Sequence, residues 1–163
     1  MKNSILKLCV LCVAVLILPC TSVQSATGGQ GSKALDSLVH DMNGSDVALE
    51  QYRGENPLLL VFFATWCPPC KQEVPELIRI TNSYKEQGLL VCAVSVDNAR
   101  SVLPPFIEKK GINYTVLHDG YRTAAEQYKV SGIPTNMLID RNGIIIFRGN
   151  RLPSPKEIDS VLN

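Results

Sequence analysis

Leu58-Leu59-Leu60-Val61-Phe62-Phe63-Ala64-Thr65-Trp66-Cys67-Pro68-Pro69-Cys70-Lys71 is the stretch on which the chain turns. Its first half is apolar throughout, which suits a strand buried on both faces. Beyond it Val74, Leu77, Ile78, Thr81 and Tyr84 recur at the 3–4 spacing of a helix with one buried face. A helix is therefore expected from Pro69 to about Gln87, with a kink at Pro75 and an end at Gly88. Cys67 and Cys70 fall at its first turn. The first N–H groups of a helix lack intrahelical partners, and the helix dipole places partial positive charge there. A thiolate at that end is stabilised. Cys67 is expected to be the more exposed sulfur and Cys70 the inner one. With two residues between them, the second thiol can attack a mixed disulfide formed on the first.

Trp66-Cys67-Pro68-Pro69-Cys70 after a hydrophobic strand resembles the active site of the thioredoxin superfamily. The longer run Cys67-Pro-Pro-Cys-Lys-Gln-Glu73-Val-Pro75-Glu-Leu77 is similar to the TlpA/ResA group of extracytoplasmic thiol–disulfide oxidoreductases. That resemblance implies a Cys67–Cys70 disulfide that cycles with its dithiol, Cys67 as attacking nucleophile and Cys70 as the resolving thiol. It implies that Trp66, Pro68 and Pro69 shape a docking surface. Ile133-Pro134-Thr135 resembles the cis-proline loop that faces the cysteine pair, so Ile133 and Pro134 are the expected substrate-backbone contacts. Glu73 is the candidate proton relay. It lies three residues beyond Cys70 on one helix, and Val61 stands where cytoplasmic thioredoxins carry a buried Asp. The plainer reading of Glu73 is a solvated helix glutamate.

The 163 residues fit one domain. Net charge is +1 with no basic cluster, so nucleic-acid binding has no support. Residues 1–25 read as an export signal, with Lys2 and Lys7 flanking an apolar run from Ile5 to Leu18. An uncleaved signal anchor is the alternative. Cys20 admits a lipid-attachment reading, which Leu18-Pro19 matches poorly. Each of these places the body outside the cytoplasm, in the periplasm or on the outer face of the cytoplasmic membrane. Residues 26–34 are Gly/Ser/Thr-rich and read as a flexible lead-in, followed by one domain over 35–163.

Within that domain the order is a hairpin around Asn43-Gly44, the strand at Leu58, the helix, and a strand from Leu89 to Val96. Next come a helix over Val102–Lys110, an extended segment over Ile112–Leu117 and a helix over Tyr121–Tyr128. The Pro134 loop follows, then strands over 136–140 and 144–148 around Arg141-Asn142-Gly143. A last helix is capped by Ser154 and Glu157. By resemblance this is an α/β, thioredoxin-like three-layer sandwich. It has an N-terminal β-hairpin and an inserted helix and strand segment, 98–131, before the cis-proline loop.

Six cysteines divide into Cys9, Cys12 and Cys20 near the start and Cys67, Cys70 and Cys92 in the body. Cys92 reads as a small buried hydrophobe. His118 reads as a surface loop residue. The resemblance implies an exported monomer without a cofactor, reducing protein disulfides such as those of an apocytochrome c or a copper-site assembly protein. It would be supplied by a membrane thiol donor. Thr135 stands where the cytochrome c maturation branch carries an acidic residue. Two other functions compete. A peroxiredoxin-like peroxidase would place a proline in a Pro-x-x-x-Thr/Ser-x-x-Cys pattern, which Leu60–Trp66 lacks. A Sco-type copper-binding factor would have three residues between its cysteines.

Overall fold

A computed structural model describes residues 28–162. The expected signal at 1–25, the first two residues of the lead-in and Cys9, Cys12 and Cys20 lie outside the described residues.

The organising strand is β3 (Leu58–Phe63), buried at all six positions. It pairs in parallel with β4 (Leu90–Ser95), from Leu58 opposite Leu90 to Phe63 opposite Ser95. β4 pairs in parallel with β5 (Thr115–His118). On its other side β3 pairs antiparallel with β6 (Thr135–Ile139), which pairs with β7 (Ile145–Gly149). β1 (Leu38–His40) and β2 (Asp46–Ala48) form the N-terminal hairpin, and β1 joins β5 through His40 and His118. The seven strands run β2-β1-β5-β4-β3-β6-β7.

Adjacent side chains on a strand point to opposite faces. Phe62 meets Tyr128, ring centroids 5.6 Å apart, while Phe63 meets Phe106 at 6.2 Å. Phe106 belongs to α2 (Leu103–Lys110), and Tyr128 follows α3 (Thr123–Gln127). Helical segments therefore cover both faces of the sheet, which is the three-layer sandwich expected. α4 (Pro155–Leu162) closes the chain, with the Ser154 N–H donating 2.7 Å to Glu157 Oε2 as the capping box requires. Among the described residues no helix is long and apolar enough to cross a membrane.

Local differences from expectation have physical causes. The hairpin turn spans five residues, Asp41–Ser45, because the Asp41 carboxylate accepts from the N–H groups of Asn43 (2.8 Å) and Ser45 (2.9 Å). Gly44 sits at φ +91°, where a Cβ would lie 2.6 Å from the Arg100 guanidinium. Leu49 leaves the hairpin for a 3-10 turn over Leu49–Tyr52. α1 (Pro68–Tyr84) runs through Pro75 and passes into a 3-10 turn, Lys85–Gln87, before Gly88 at φ +91°. Its buried stripe is Cys70, Val74, Leu77 and Ile80, so Ile80 rather than Ile78 faces the core. His118 is the last residue of β5 and is 7% exposed, not a surface loop residue. Residues 28–34 of the lead-in run along β7. Gly31 N–H donates 2.8 Å to the Ile145 carbonyl, and Ile145 N–H donates 3.0 Å to that of Ser32.

Candidate active site

Cys67 is the N-cap of α1, in extended backbone at φ −76°, ψ 115°, with Pro68 and Pro69 at the first two helical positions. Neither proline wastes a donor there, because those N–H groups have no intrahelical acceptor. The Cys70 N–H points at Cys67 Sγ, 3.3 Å away. Cys67 and Cys70 form a disulfide, with Cα atoms 5.3 Å apart.

Both cysteines are only 3% exposed, so Cys67 is not the open thiol expected in this disulfide state. Its sulfur is covered from two sides, by Cys70 and by the Ile133 carbonyl at 3.7 Å. The Ile133–Pro134 bond is cis, as expected. Thr135 Oγ1 donates 2.6 Å to the Gly132 carbonyl and ties that loop together. Trp66 is 62% exposed, and Pro68 and Pro69 are also exposed. The buried sulfurs thus lie between an exposed aromatic rim and the proline loop. A groove of about 440 Å³ is lined by Ile133, Pro134, Thr135, Arg148 and Asn150 among others, and neither cysteine lines it. Arg148 donates to the carbonyls of Gly28 and Lys129, and burial pushes its pKa down.

The turn that delivers Cys67 is held from β4. The Asp97 carboxylate accepts from Thr65 N–H (2.8 Å), Thr65 Oγ1 (2.7 Å) and Ser95 Oγ (2.7 Å). His118 Nε2 donates 2.7 Å to the Asp97 carbonyl, which puts the ring proton on Nε2. Asp97 falls between the strand expected over Leu89–Val96 and the helix expected from Val102, and no role was read for it. Its position one residue past the end of a buried strand was the available signal, since a buried carboxylate needs donors and parallel strands end beside the site.

Glu73 is half-buried, and both its carboxyl oxygens accept from Asn136 Nδ2, at 3.3 and 3.2 Å. Burial raises its pKa above the usual glutamate value, and the Asn136 hydrogen bond opposes that rise. Half-buried Tyr114 interacts with it electrostatically, and the phenol's pKa is pushed up mainly by burial. The plainer reading of Glu73 as a solvated surface residue therefore does not hold.

This position has a consequence for stability. A carboxyl with a raised folded-state pKa favours the fold while it is neutral. That contribution is complete below the unfolded glutamate pKa and is lost as pH rises through the folded value. Glu73→Gln should therefore gain stability over wild type as pH climbs from about 4 to about 8. Urea unfolding midpoints at both pH values would check this. An identical gap at both would mean that Glu73 titrates as a free glutamate.

Cys92, at the middle of β4, is fully buried, and burial pushes its thiol up to about 12. It takes no part in the site. Among the described residues no three His, Cys, Asp or Glu side chains converge as metal ligands do.

The ResA thiol-disulfide oxidoreductase of Geobacillus kaustophilus (strain HTA426) is 34% identical over 113 residues, covering 69% of this chain and 64% of that one. ResA of Bacillus subtilis (strain 168) is 32% identical over 117 residues, covering 72% of this chain and 65% of that one. The chain thus spans just under two thirds of the length of these relatives. A crystal structure described as a putative thiol:disulfide interchange protein DsbE from Chlorobium tepidum superposes with a TM-score of 0.75 at 29% identity. That alignment covers 83% of this chain and 99% of the other, so the thioredoxin-like fold expected from the sequence is the fold observed. The profile of the AhpC/TSA family matches residues 30–148. The chain belongs to the AhpC/TSA family.

Proposed function

We propose that this protein is an exported thiol–disulfide oxidoreductase that reduces protein disulfides through Cys67 and Cys70. The observation that carries the reading is the disulfide itself. It joins the N-cap of α1 to the third residue of the helix and lies 3.7 Å from the carbonyl before cis-Pro134.

In the reducing direction the Cys67 thiolate attacks one sulfur of a substrate disulfide. The S–S bond breaks, and the first substrate sulfur leaves with the electron pair and takes a proton. Cys70 then passes its proton to Glu73 and attacks Cys67 Sγ. The enzyme disulfide closes, and the second substrate sulfur leaves as a thiolate. The enzyme dithiol has lost two electrons and the substrate has gained two. Trp66, Pro68, Pro69, Ile133 and Pro134 frame the sulfur that substrate must reach. A membrane thiol donor would restore the dithiol, and residues 1–25 would deliver the domain to the periplasm or the outer face of the cytoplasmic membrane. An apocytochrome c or a copper-site assembly protein is the kind of substrate proposed. The names of the ResA and DsbE relatives support this reading.

The test is the reduction potential measured against glutathione. Trp66 is the only tryptophan and precedes the pair, so its fluorescence should report the redox state. A value near or below about −250 mV fits a reductant fed by a dedicated donor. A value near about −120 mV would reverse the direction and make the protein a disulfide donor. Failure of the pair to cycle would sink the proposal.

A further inference from the structure

We propose that Asn136 is the positioning residue for Glu73, its side-chain amide holding the carboxyl in place in both of its protonation states and the ionised state more strongly. The inference rests on Glu73 as the proton acceptor for Cys70, as proposed above.

Asn136 is wholly buried in β6, opposite Val61 of β3 and two residues beyond cis-Pro134. The three residues after it, Met137, Leu138 and Ile139, are apolar and buried. An apolar side chain would satisfy that environment without desolvating an amide. What the amide does there is specific. Nδ2 donates to both Glu73 oxygens, while Oδ1 is buried and has no hydrogen-bond partner among the described residues. An orphaned buried acceptor is costly, and such a group in a native fold calls for an explanation.

The explanation lies in what Glu73 becomes. An ionised carboxylate only accepts hydrogen bonds, whereas the neutral acid has one O–H to donate. Asn136 carries a donor and an acceptor on one planar group. With Nδ2 toward Glu73 it serves the carboxylate. A half-turn about Cβ–Cγ presents Oδ1, which accepts a hydrogen bond from the O–H that Glu73 carries once it has taken the proton of Cys70. Neither a leucine nor an aspartate at 136 could serve both states. Two groups bear on Glu73, Asn136 by hydrogen bonds and Tyr114 electrostatically from the chain before β5, and Cys70 precedes it by three residues on α1. Tyr114 stays a neutral phenol through the working pH range, so Asn136 is the partner that responds.

The test uses the full chain in four forms: wild type, Asn136→Leu, Asn136→Asp and Glu73→Gln. Two readouts are taken across pH. One is the ¹³C shift of the Glu73 carboxyl. The other is the rate at which the reduced protein changes Trp66 fluorescence on oxidation by glutathione disulfide. The Glu73 midpoint should rise in Asn136→Leu and further in Asn136→Asp. The acid limb of the rate profile should move with it and slow oxidation about tenfold at its acid end. Leucine keeps the branching of asparagine at Cγ and removes the orphaned acceptor, and circular dichroism checks that the variant folds. A Glu73 midpoint that stays at the wild-type pH in both Asn136 variants overturns the proposal, whatever the rates do. A midpoint that moves while the rates of Asn136→Leu and Glu73→Gln keep the wild-type profile supports the Asn136 contact. That pattern would locate the failure in the reading of Glu73 as proton acceptor.

Discussion

A Cys70→Ala chain given a disulfide substrate accumulates as a mixed disulfide through Cys67, and turnover falls by a factor of about 10³ or more. The magnitude follows from proximity. Well-oriented groups on one molecule react as if present at about 10⁵ M or above, and millimolar thiol in solution cannot match that. No other thiol of the domain can stand in, because Cys92 is fully buried in β4 and its thiol is pushed up to about 12. The adduct should appear on a non-reducing gel and vanish with dithiothreitol. Cys67→Ser should form no adduct through the site. If the two variants trapped substrate equally, the order of attack assigned to the cysteines would be wrong.

The second large effect is expected at a residue that touches no sulfur but holds the turn before Cys67. Asp97→Ala removes the acceptor for two hydroxyls and one backbone N–H, all at or near the turn that carries Cys67. Leaving such donors unpaired costs about 1–3 kcal/mol each where they are buried, as Ser95 is, and less at half-buried Thr65, so a total of roughly 3–5 kcal/mol is expected. For a domain of this size that lowers Tm by on the order of 10–15 °C. Asp97→Asn keeps one acceptor oxygen and should lose about half as much. Differential scanning calorimetry would measure both. A drop of only a degree or two for Asp97→Ala would mean that the turn is held by packing alone.

Much of this site is local in sequence and was legible for that reason. Strand β3, the junction and α1 are consecutive, so apolar run, cysteine spacing and helix period all act within thirty residues. The capping box at Ser154 and Glu157 is likewise a local device. Pro134 is distant in sequence, and its loop was recognised by resemblance rather than by any periodicity. Asp97, His118 and Asn136 were not seen as parts of the site. Each acts across strands, 32 residues between Thr65 and Asp97 and 63 between Glu73 and Asn136. A single polar residue at the end or middle of an apolar strand carries no sign of its partner until the sheet order is known. The burial of Cys67 escaped for the same reason, because the carbonyl that covers it belongs to Ile133.

The lead-in along β7 bears on how the molecule behaves in company. A terminal strand with open N–H and carbonyl groups invites a strand from another chain. Here the outer groups of Ile145 are already taken by Gly31 and Ser32, and the Gly143 carbonyl by Ala34. Arg148 fastens the start of that strap through the Gly28 carbonyl. A chain cut back to Leu35 would keep its redox centre and lose only Ala34 from its core, yet would leave this side of the sheet open to edge-to-edge association. Solubility at high concentration, rather than chemistry, is what those seven residues protect.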